Sequence, residues 1–355
     1  MMGARSTRHE RTARHPVTAT LAALVFAGAT LGISACLTPE EGRESPPEAT
    51  TTAPDGAATA GKPHPVRPAR AESDTQAESD EDVAARLQPA GVTAEVPEAN
   101  AVVLTARDDE AFAEVWRERT ALAFRELRRI FPPRERAVEP ATVLIFPDRE
   151  GYEAYAEHFA PENHPALGYY DPVRRELVMA ESDRDEALFA TLLHESTHLV
   201  LRDFLGHRYP PAWLDEGLAT YYETGVLVED EETGEASIRF GEVHEEFLRL
   251  AERHLAANAP VDVRRFATMD FDSFADVGTS TLRRHYALSW SLVYYLLNGE
   301  RGRFRAQLQL YLDEIAAAPD PQMRYVRAFD LCFRPVMYSF ELGWAHWVRR
   351  AARKD

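Results

Sequence analysis

Cysteine is scarce in this sequence, which contains only Cys36 and Cys332 in 355 residues. Two cysteines cannot supply the four-ligand spacing of a cysteine-based structural zinc site. We therefore expect the fold to be held by an ordinary hydrophobic core and not by disulfides. A glycine-rich phosphate-binding loop and a convincing Ser/His/Asp arrangement are also missing. These absences argue against a P-loop nucleotide-binding protein and against a serine hydrolase.

Aromatic residues are missing from residues 37–100, a stretch that is rich in proline and contains acidic runs such as AESDTQAESDED. Such a composition cannot bury enough apolar surface to offset the entropy lost on ordering. We predict a disordered acidic linker over 37–100. The formal net charge of −18, part of which comes from this stretch, argues against a nucleic-acid partner.

An apolar run, VTATLAALVFAGATLGISAC, ends at Cys36 and follows a segment with four arginines and one acid. This order is typical of a secretory signal, and the run is too short and too rich in small residues to indicate a membrane span. ISAC (33–36) resembles the bacterial lipobox, in which the cysteine becomes the lipidated first residue. The resemblance implies a signal peptide over 1–36 and an exported bacterial lipoprotein of the cell envelope, anchored to the membrane through Cys36. An ordinary cleaved signal with an incidental cysteine is the alternative.

Short strands and helices follow from about residue 101. AVVLTA and ATVLIF are predicted strands, residues 108–130 and 149–159 have helical spacing, and GYYDPVRRELVMA indicates a hairpin. Beyond residue 185 nearly every segment is helical. Strands followed by helices predict an α+β domain over 101–355, in which helices pack on a small sheet.

The sequence HESTH (194–198) contains two histidines four residues apart with a glutamate between them. On a helical wheel, His198 lies about 40° and Glu195 about 100° from His194, while the apolar residues of this helix cluster on the other side. Both imidazoles can therefore reach one metal ion, and Glu195 can take a proton from a metal-bound water. Two solvated surface histidines would give the same five letters, so the interpretation needs a third ligand.

A second motif follows in PPAWLDEGLATYYETG, where Pro210 and Pro211 are predicted to open another helix. Here the chain resembles the gluzincin metallopeptidases, in particular the aminopeptidase N-like branch and the peptidase MA-like bacterial proteins. In that group the third zinc ligand is the glutamate of a Trp-Leu-Xaa-Glu-Gly segment, slightly under twenty residues after the second histidine. WLDEG (213–217) matches at that distance. The resemblance implies a zincin-like domain with a small mixed sheet before the active-site helix, and Zn²⁺ bound by His194, His198 and Glu216.

The resemblance implies further roles. HYALSWSLVYYLL (285–297) resembles the family helix whose tyrosine hydrogen-bonds the oxyanion. That tyrosine falls on Tyr286, which could instead be a core residue, and the family's glycine three positions later is Ser289. Glu223 and Asp215 are candidates for orienting the ligand imidazoles. The strand within 174–180 resembles the zincin edge strand along which an extended peptide lies.

Other histidines are interpreted differently. His244 and His254, in HEEFLRLAERH, are predicted to lie on a solvated helix face and not at a second metal site. His285 could bind substrate, although a surface position is the simpler interpretation.

Together these features indicate a membrane-tethered zinc peptidase that acts on envelope proteins or peptides. Zinc would lower the pKa of its bound water toward about 7, Glu195 would transfer the proton to the leaving amine, and Tyr286 would stabilise the oxyanion. Endopeptidase action is favoured, because the Gly-Xaa-Met-Glu-Asn block of the aminopeptidases is missing. A non-catalytic, zinc-stabilised lipoprotein that binds envelope partners remains the alternative. Glu195 favours the peptidase, since zinc binding alone needs no base between the histidines.

The lipid anchor can be tested by replacing Cys36. We expect the mature protein to begin at a lipidated Cys36, and Cys36→Ser to block processing or release the protein from the membrane. Membrane fractionation and mass spectrometry of the N-terminus measure both effects. An unmodified wild-type N-terminus, with the same fractionation in both proteins, would contradict the prediction.

Overall fold

The computed structural model describes the following residues: 79–105, 108–134, 138–161, 166–257, 261–318 and 321–353. The predicted signal peptide, Cys36 and the first part of the predicted linker lie outside the described residues. Among the described residues, no helix combines the length and apolar character needed to cross a bilayer. Cys332 is buried and unpaired within this part of the chain.

A five-stranded sheet occupies the first half of the described chain. Its strands are β1 (Thr93–Val96), β2 (Ala101–Thr105), β3 (Ala141–Phe146), β4 (Gly168–Asp171) and β5 (Glu176–Ala180). Their order is β1-β2-β3-β5-β4, with β2, β3 and β5 parallel and an antiparallel strand at each edge. The predicted strands and the predicted hairpin are confirmed, and the sheet is mixed.

Ordered structure begins before residue 101. Helix α1 (Asp80–Leu87) is capped by Ser79, whose side chain accepts a hydrogen bond from the Asp82 backbone N–H. Strand β1 then pairs with β2. The predicted linker is therefore wrong for residues 80–100. Its few apolar residues are sufficient there because distant parts of the chain cover them: Val83 and Val96 are both buried.

The edge strand also differs from the prediction. β5 pairs with β3 on one side and with β4 on the other, so it lies inside the sheet and β4 forms the edge. The assignment of strand 174–180 to the edge is wrong. A hairpin pattern does not tell which of its strands continues the sheet, since that depends on pairing with β3, far away in the sequence.

Helices make up most of the remaining chain. They are α2 (Glu110–Ile130), α3 (Arg149–Phe159), α4 (Asp185–Phe204), α5 (Ala212–Glu223), α6 (Glu245–Ala256), α7 (Val263–Ala267), α8 (Phe271–Ala275), α9 (Thr279–Asn298), α10 (Arg305–Ala317), α11 (Pro321–Phe333) and α12 (Met337–Ala351). The predicted α+β fold, with a small mixed sheet and a mostly helical C-terminal part, is confirmed. A two-stranded antiparallel hairpin, β6 (Val226–Glu229) with β7 (Ala236–Arg239), was not predicted.

Helix α4 is fixed against the sheet at its C-terminal end. It packs on α2, β4 and β5 through buried side chains such as Leu192 and Leu199. In its last turn, Asp203 accepts two hydrogen bonds from Arg175, which precedes β5, at 2.9 and 3.1 Å. Because desolvation of both charges offsets much of their attraction, we assign this buried pair a mainly geometric role. It fixes the position of the helix that carries HESTH.

Candidate metal centre

Helices α4 and α5 bring three potential ligands together. The rings of His194 and His198 have centroids 5.0 Å apart and planes inclined at 72°. Glu216, on α5, places Oε2 3.6 Å from His194 Nε2 and 3.9 Å from His198 Nε2. One potential ligand atom from each residue lies within 4.8 Å of the other two. The three residues therefore form a compact group of two nitrogens and one oxygen.

The spacing of these atoms fits a bound metal better than direct hydrogen bonds. Tetrahedral ligands at about 2.0–2.2 Å from zinc lie roughly 3.3–3.6 Å from one another, whereas an N–H···O hydrogen bond is about 2.9 Å long. Glu216 Oε2 is also buried and has no hydrogen-bond partner among the described residues. Since buried carboxylate oxygens nearly always have a partner, the residues present fit a zinc ion.

The group is closed on one side and open on the other. The His194 side chain is 2% exposed, whereas those of His198 and Glu216 are 13% and 16% exposed. Within the described ranges, no further histidine, cysteine or carboxylate joins the three. Structural zinc sites usually have four protein ligands, while catalytic sites have three and leave a position for water or substrate. The donor set and its partial exposure match the second kind.

Each ligand histidine has its own carboxylate on α5. His194 Nδ1 lies 2.6 Å from Glu223 Oε2, and His198 Nδ1 lies 2.8 Å from Asp215 Oδ1. A carboxylate at Nδ1 favours the tautomer with hydrogen on that nitrogen and leaves the Nε2 lone pair available to a metal. The structure thus places Glu223 and Asp215, the two candidates from the sequence, each beside one of the two imidazoles.

These contacts set the charge of the centre. Burial opposes the charged form of His198, but Asp215 raises the pKa of that histidine to about 9. Burial also opposes ionisation of Glu216, yet the two histidines and a hydrogen bond from Tyr286 hold its pKa below the ordinary value. Glu216 is therefore a carboxylate, and a metal cation and protons compete for the same ligands.

Glu195 and Tyr286 lie beside the three-residue group without belonging to it. Glu195 is 2% exposed, and burial raises the pKa of its carboxyl group while the neighbouring histidines oppose that effect. Tyr286, on α9, is 9% exposed and donates a hydrogen bond to Glu216. The residues predicted to act as base and oxyanion donor are thus both adjacent to the potential ligands.

Gly217 explains how α9 comes close to α5, the helix that carries Glu216. A Cβ atom at this position would lie 2.8 Å from both the Ser289 carbonyl oxygen and Val293 Cγ2. Only glycine permits this approach of α5 to α9 without displacing backbone. Tyr286 lies one turn before Ser289, so the same approach brings its hydroxyl to Glu216. The contact at Gly217 is made by the backbone atoms of Ser289.

The prediction that His244 lies on a solvated helix face is wrong. It is 6% exposed and caps α6, where its Nδ1 accepts a hydrogen bond from the Phe247 backbone N–H at 3.3 Å. Its Nε2 lies 3.5 Å from Glu223 Oε1. The sequence did contain a signal for the capping position of His244. The two glutamates that follow it are typical of a first helical turn, which puts the histidine at the N-cap. His254, later in α6, is only partly buried.

We expected a surface position for His285, and the structure shows a less exposed one. It is partly buried, its Nδ1 lies 2.8 Å from the Phe274 carbonyl oxygen, and its ring contacts those of Phe266 and Phe274. These contacts indicate a packing role.

A family described as "Protein of unknown function (DUF1570)" matches residues 188–315. The matched segment runs from the first turn of α4 into α10 and contains HESTH, WLDEG and the helix of Tyr286. The description names no activity. No curated protein matches the chain.

Zinc content tests the ligand assignment. We expect about one zinc per wild-type chain, and loss of zinc in His194→Ala, His198→Ala and Glu216→Ala, because each change removes a ligand. Elemental analysis and a chelator competition titration measure stoichiometry and affinity. His254→Ala, a histidine outside the group, is the control and should retain zinc. If Glu216→Ala kept full zinc affinity, the third ligand would be wrong and Glu223 would be tested next.

Proposed function

We propose that the protein is a zinc-dependent peptidase, tethered to the membrane through Cys36, that cleaves proteins or peptides of the cell envelope. The observation that carries the proposal is the position of Glu195. It is a buried carboxylate beside three potential ligands, yet it is not a member of their group. Zinc binding alone needs no such residue, whereas hydrolysis of an amide needs a group that accepts and returns a proton.

The side chains of this chain can divide the reaction between them. Zinc, when bound, would supply a Lewis acid and lower the pKa of a water molecule toward about 7. Glu195 takes the proton from the attacking water and delivers it to the leaving amine. Tyr286, which donates a hydrogen bond to Glu216, stabilises the developing oxyanion. One such donor contributes about 3 kcal/mol.

The position of strand β4 favours an extended peptide as the substrate. It is an edge strand of the sheet, and its first residue, Gly168, lies close to α4: a Cβ there would be 2.5 Å from Thr191 Cγ2. Thr191 is one turn before Glu195. A peptide added to the outer edge of β4 would therefore run beside the helix that carries the base. Because the sequence has no block for holding a free N-terminal amine, we favour endopeptidase action.

Glu195→Gln separates a peptidase from a zinc-stabilised binding protein. We expect the variant to keep about one zinc per chain and to lose several orders of magnitude in cleavage rate, because only the proton acceptor is removed. The assay incubates the full chain with a denatured protein library and identifies new termini by mass spectrometry. Glu186→Gln, an exposed glutamate on the same helix, is the matched control. Equal cleavage by both variants would show that Glu195 is not the base, and no cleavage by the wild type with zinc bound would favour the binding protein.

Tyr286→Phe tests the oxyanion donor. If the hydroxyl acts mainly in the transition state, kcat and kcat/KM should fall together by roughly 10²- to 10³-fold. Zinc content should barely change, because the three ligands remain. Tyr294→Phe, on the same helix and partly buried, is the control. A fully active Tyr286→Phe enzyme, or one inactive only because its Tm is lower, would assign Tyr286 to packing.

A further inference from the structure

The ring of His244 is held in one position and one tautomer. Its Nδ1 accepts the Phe247 backbone N–H, and its ring stacks on the Phe247 ring with centroids 4.1 Å apart and planes at 9°. The Trp290 ring packs against it at 6.1 Å. Because Nδ1 is an acceptor, the hydrogen of the neutral imidazole lies on Nε2. His244 Nε2 lies 3.5 Å from Glu223 Oε1.

Glu223 uses one carboxylate oxygen for each of two histidines. Oε2 lies 2.6 Å from His194 Nδ1, and Oε1 faces His244. The Glu223 side chain is 6% exposed. A carboxylate enclosed to this degree needs partners within the protein for both oxygens.

His198, the other proposed ligand, does not need a protein donor for the second oxygen of its carboxylate partner. Its partner, Asp215, has a side chain that is 22% exposed, so water can satisfy the oxygen that does not contact His198. Solvent is largely excluded from Glu223. A protein donor at Oε1 is therefore needed on the His194 side of the centre and not on the His198 side.

We propose that His244 is a positioning residue of the metal centre, which holds the Glu223 carboxylate so that His194 presents Nε2 to zinc. The inference rests on the proposed zinc site and adds a residue that provides no metal ligand. The contacts run from the Phe247 N–H through His244 and Glu223 to His194. Loss of the His244 contact should loosen the Glu223 carboxylate and so weaken zinc binding.

Two substitutions separate this role from the helix cap. Asparagine is a good N-cap residue, so His244→Asn keeps an acceptor for the Phe247 N–H, but its short side chain does not reach Glu223. Glutamine places an amide near the position of Nε2, so His244→Gln keeps a donor to Glu223 but gives up the cap. A purely structural role predicts that the glutamine variant is the more damaged. A positioning role predicts that the asparagine variant binds zinc more weakly than the glutamine variant.

The measurement is the zinc Kd of the full chain, by competition with a chromophoric chelator. His244→Asn should bind zinc about 10-fold more weakly, at the lower end of the range for groups that orient metal ligands, with its metal-free Tm near that of the wild type. His244→Gln should have a Kd within about 3-fold of the wild type even if its Tm falls. The visible spectrum of the Co²⁺-loaded chain should shift in the asparagine variant alone. His254→Asn, on the same helix, is the control and should change neither quantity.

A double-mutant cycle tests the pathway. Glu223→Gln alone should weaken zinc binding about 10- to 100-fold. Adding His244→Asn to it should cost less than about 3-fold more, because the histidine acts through the carboxylate. A normal Kd in His244→Asn, or a full additional loss in the double variant, would overturn the inference while the zinc site stands. A wild-type chain that binds no zinc would overturn the proposed function and the inference with it.

Discussion

Burial of carboxylates between α4 and α5 is the constraint on which the rest of the structure depends. Glu195 and Glu223 are buried, and Asp215 and Glu216 are mostly shielded. In the described part of the chain, the ion-pair partners of Asp215, Glu216 and Glu223 are histidines. Removing an ionised carboxylate from water costs several kcal/mol unless it is paired and hydrogen-bonded. The histidine N–H groups compensate two of the carboxylates. A divalent cation would compensate the remaining charge, so close packing of the two helices and metal binding require the same geometry.

Helix α5 is the centre of that geometry. It supplies three carboxylates to one side, and it packs its apolar residues, including Trp213, Leu214 and Leu218, against its neighbours. Both α4 and α9 pack on it, and Gly217 permits the close approach of α9. The catalytic candidates on α4 and α9 therefore meet because each helix is packed on the same short helix. A change in α5 packing would move the ligands and the tyrosine together.

The sequence predicted the parts of the centre that depend on local spacing. Histidines one turn apart on an amphipathic helix, and acidic residues one and three turns into a second helix, keep their relative positions in any α-helix. Predicted helices and strands near these motifs were right for the same reason. Other features were wrong or missed: the position of β5 inside the sheet, the structure of residues 80–100, and the β6–β7 hairpin. The position of β5 depends on pairing with β3 and that of α1 on packing against α3, and periodicity reveals neither contact. The β6–β7 hairpin pairs locally, so distance in the sequence does not explain why it was missed.

His244 was missed for a related reason. A histidine among charged residues fits a solvated face, and only the path of the chain decides otherwise. After Glu223 the chain forms the β6–β7 hairpin and returns, where the Thr224 hydroxyl donates to the Glu242 carbonyl oxygen at 3.3 Å. This return brings His244 back to Glu223. The cap of α6 and the contact with the metal centre thus come from one ring, and burial of the ring at α9 supports both.

The two histidines of the proposed metal centre differ in exposure, and the difference suits two tasks: holding the metal and admitting substrate. His194 is fully buried, and its carboxylate is enclosed by another histidine. His198 is partly exposed, and so is its carboxylate. A centre buried on all sides would bind metal well but admit no peptide, while one exposed on all sides would hold its ligands loosely. Rigid support at His194 and access at His198 and Glu216 satisfy both needs. This asymmetry suits the proposed peptidase, which would have to keep its metal while substrates enter and products leave.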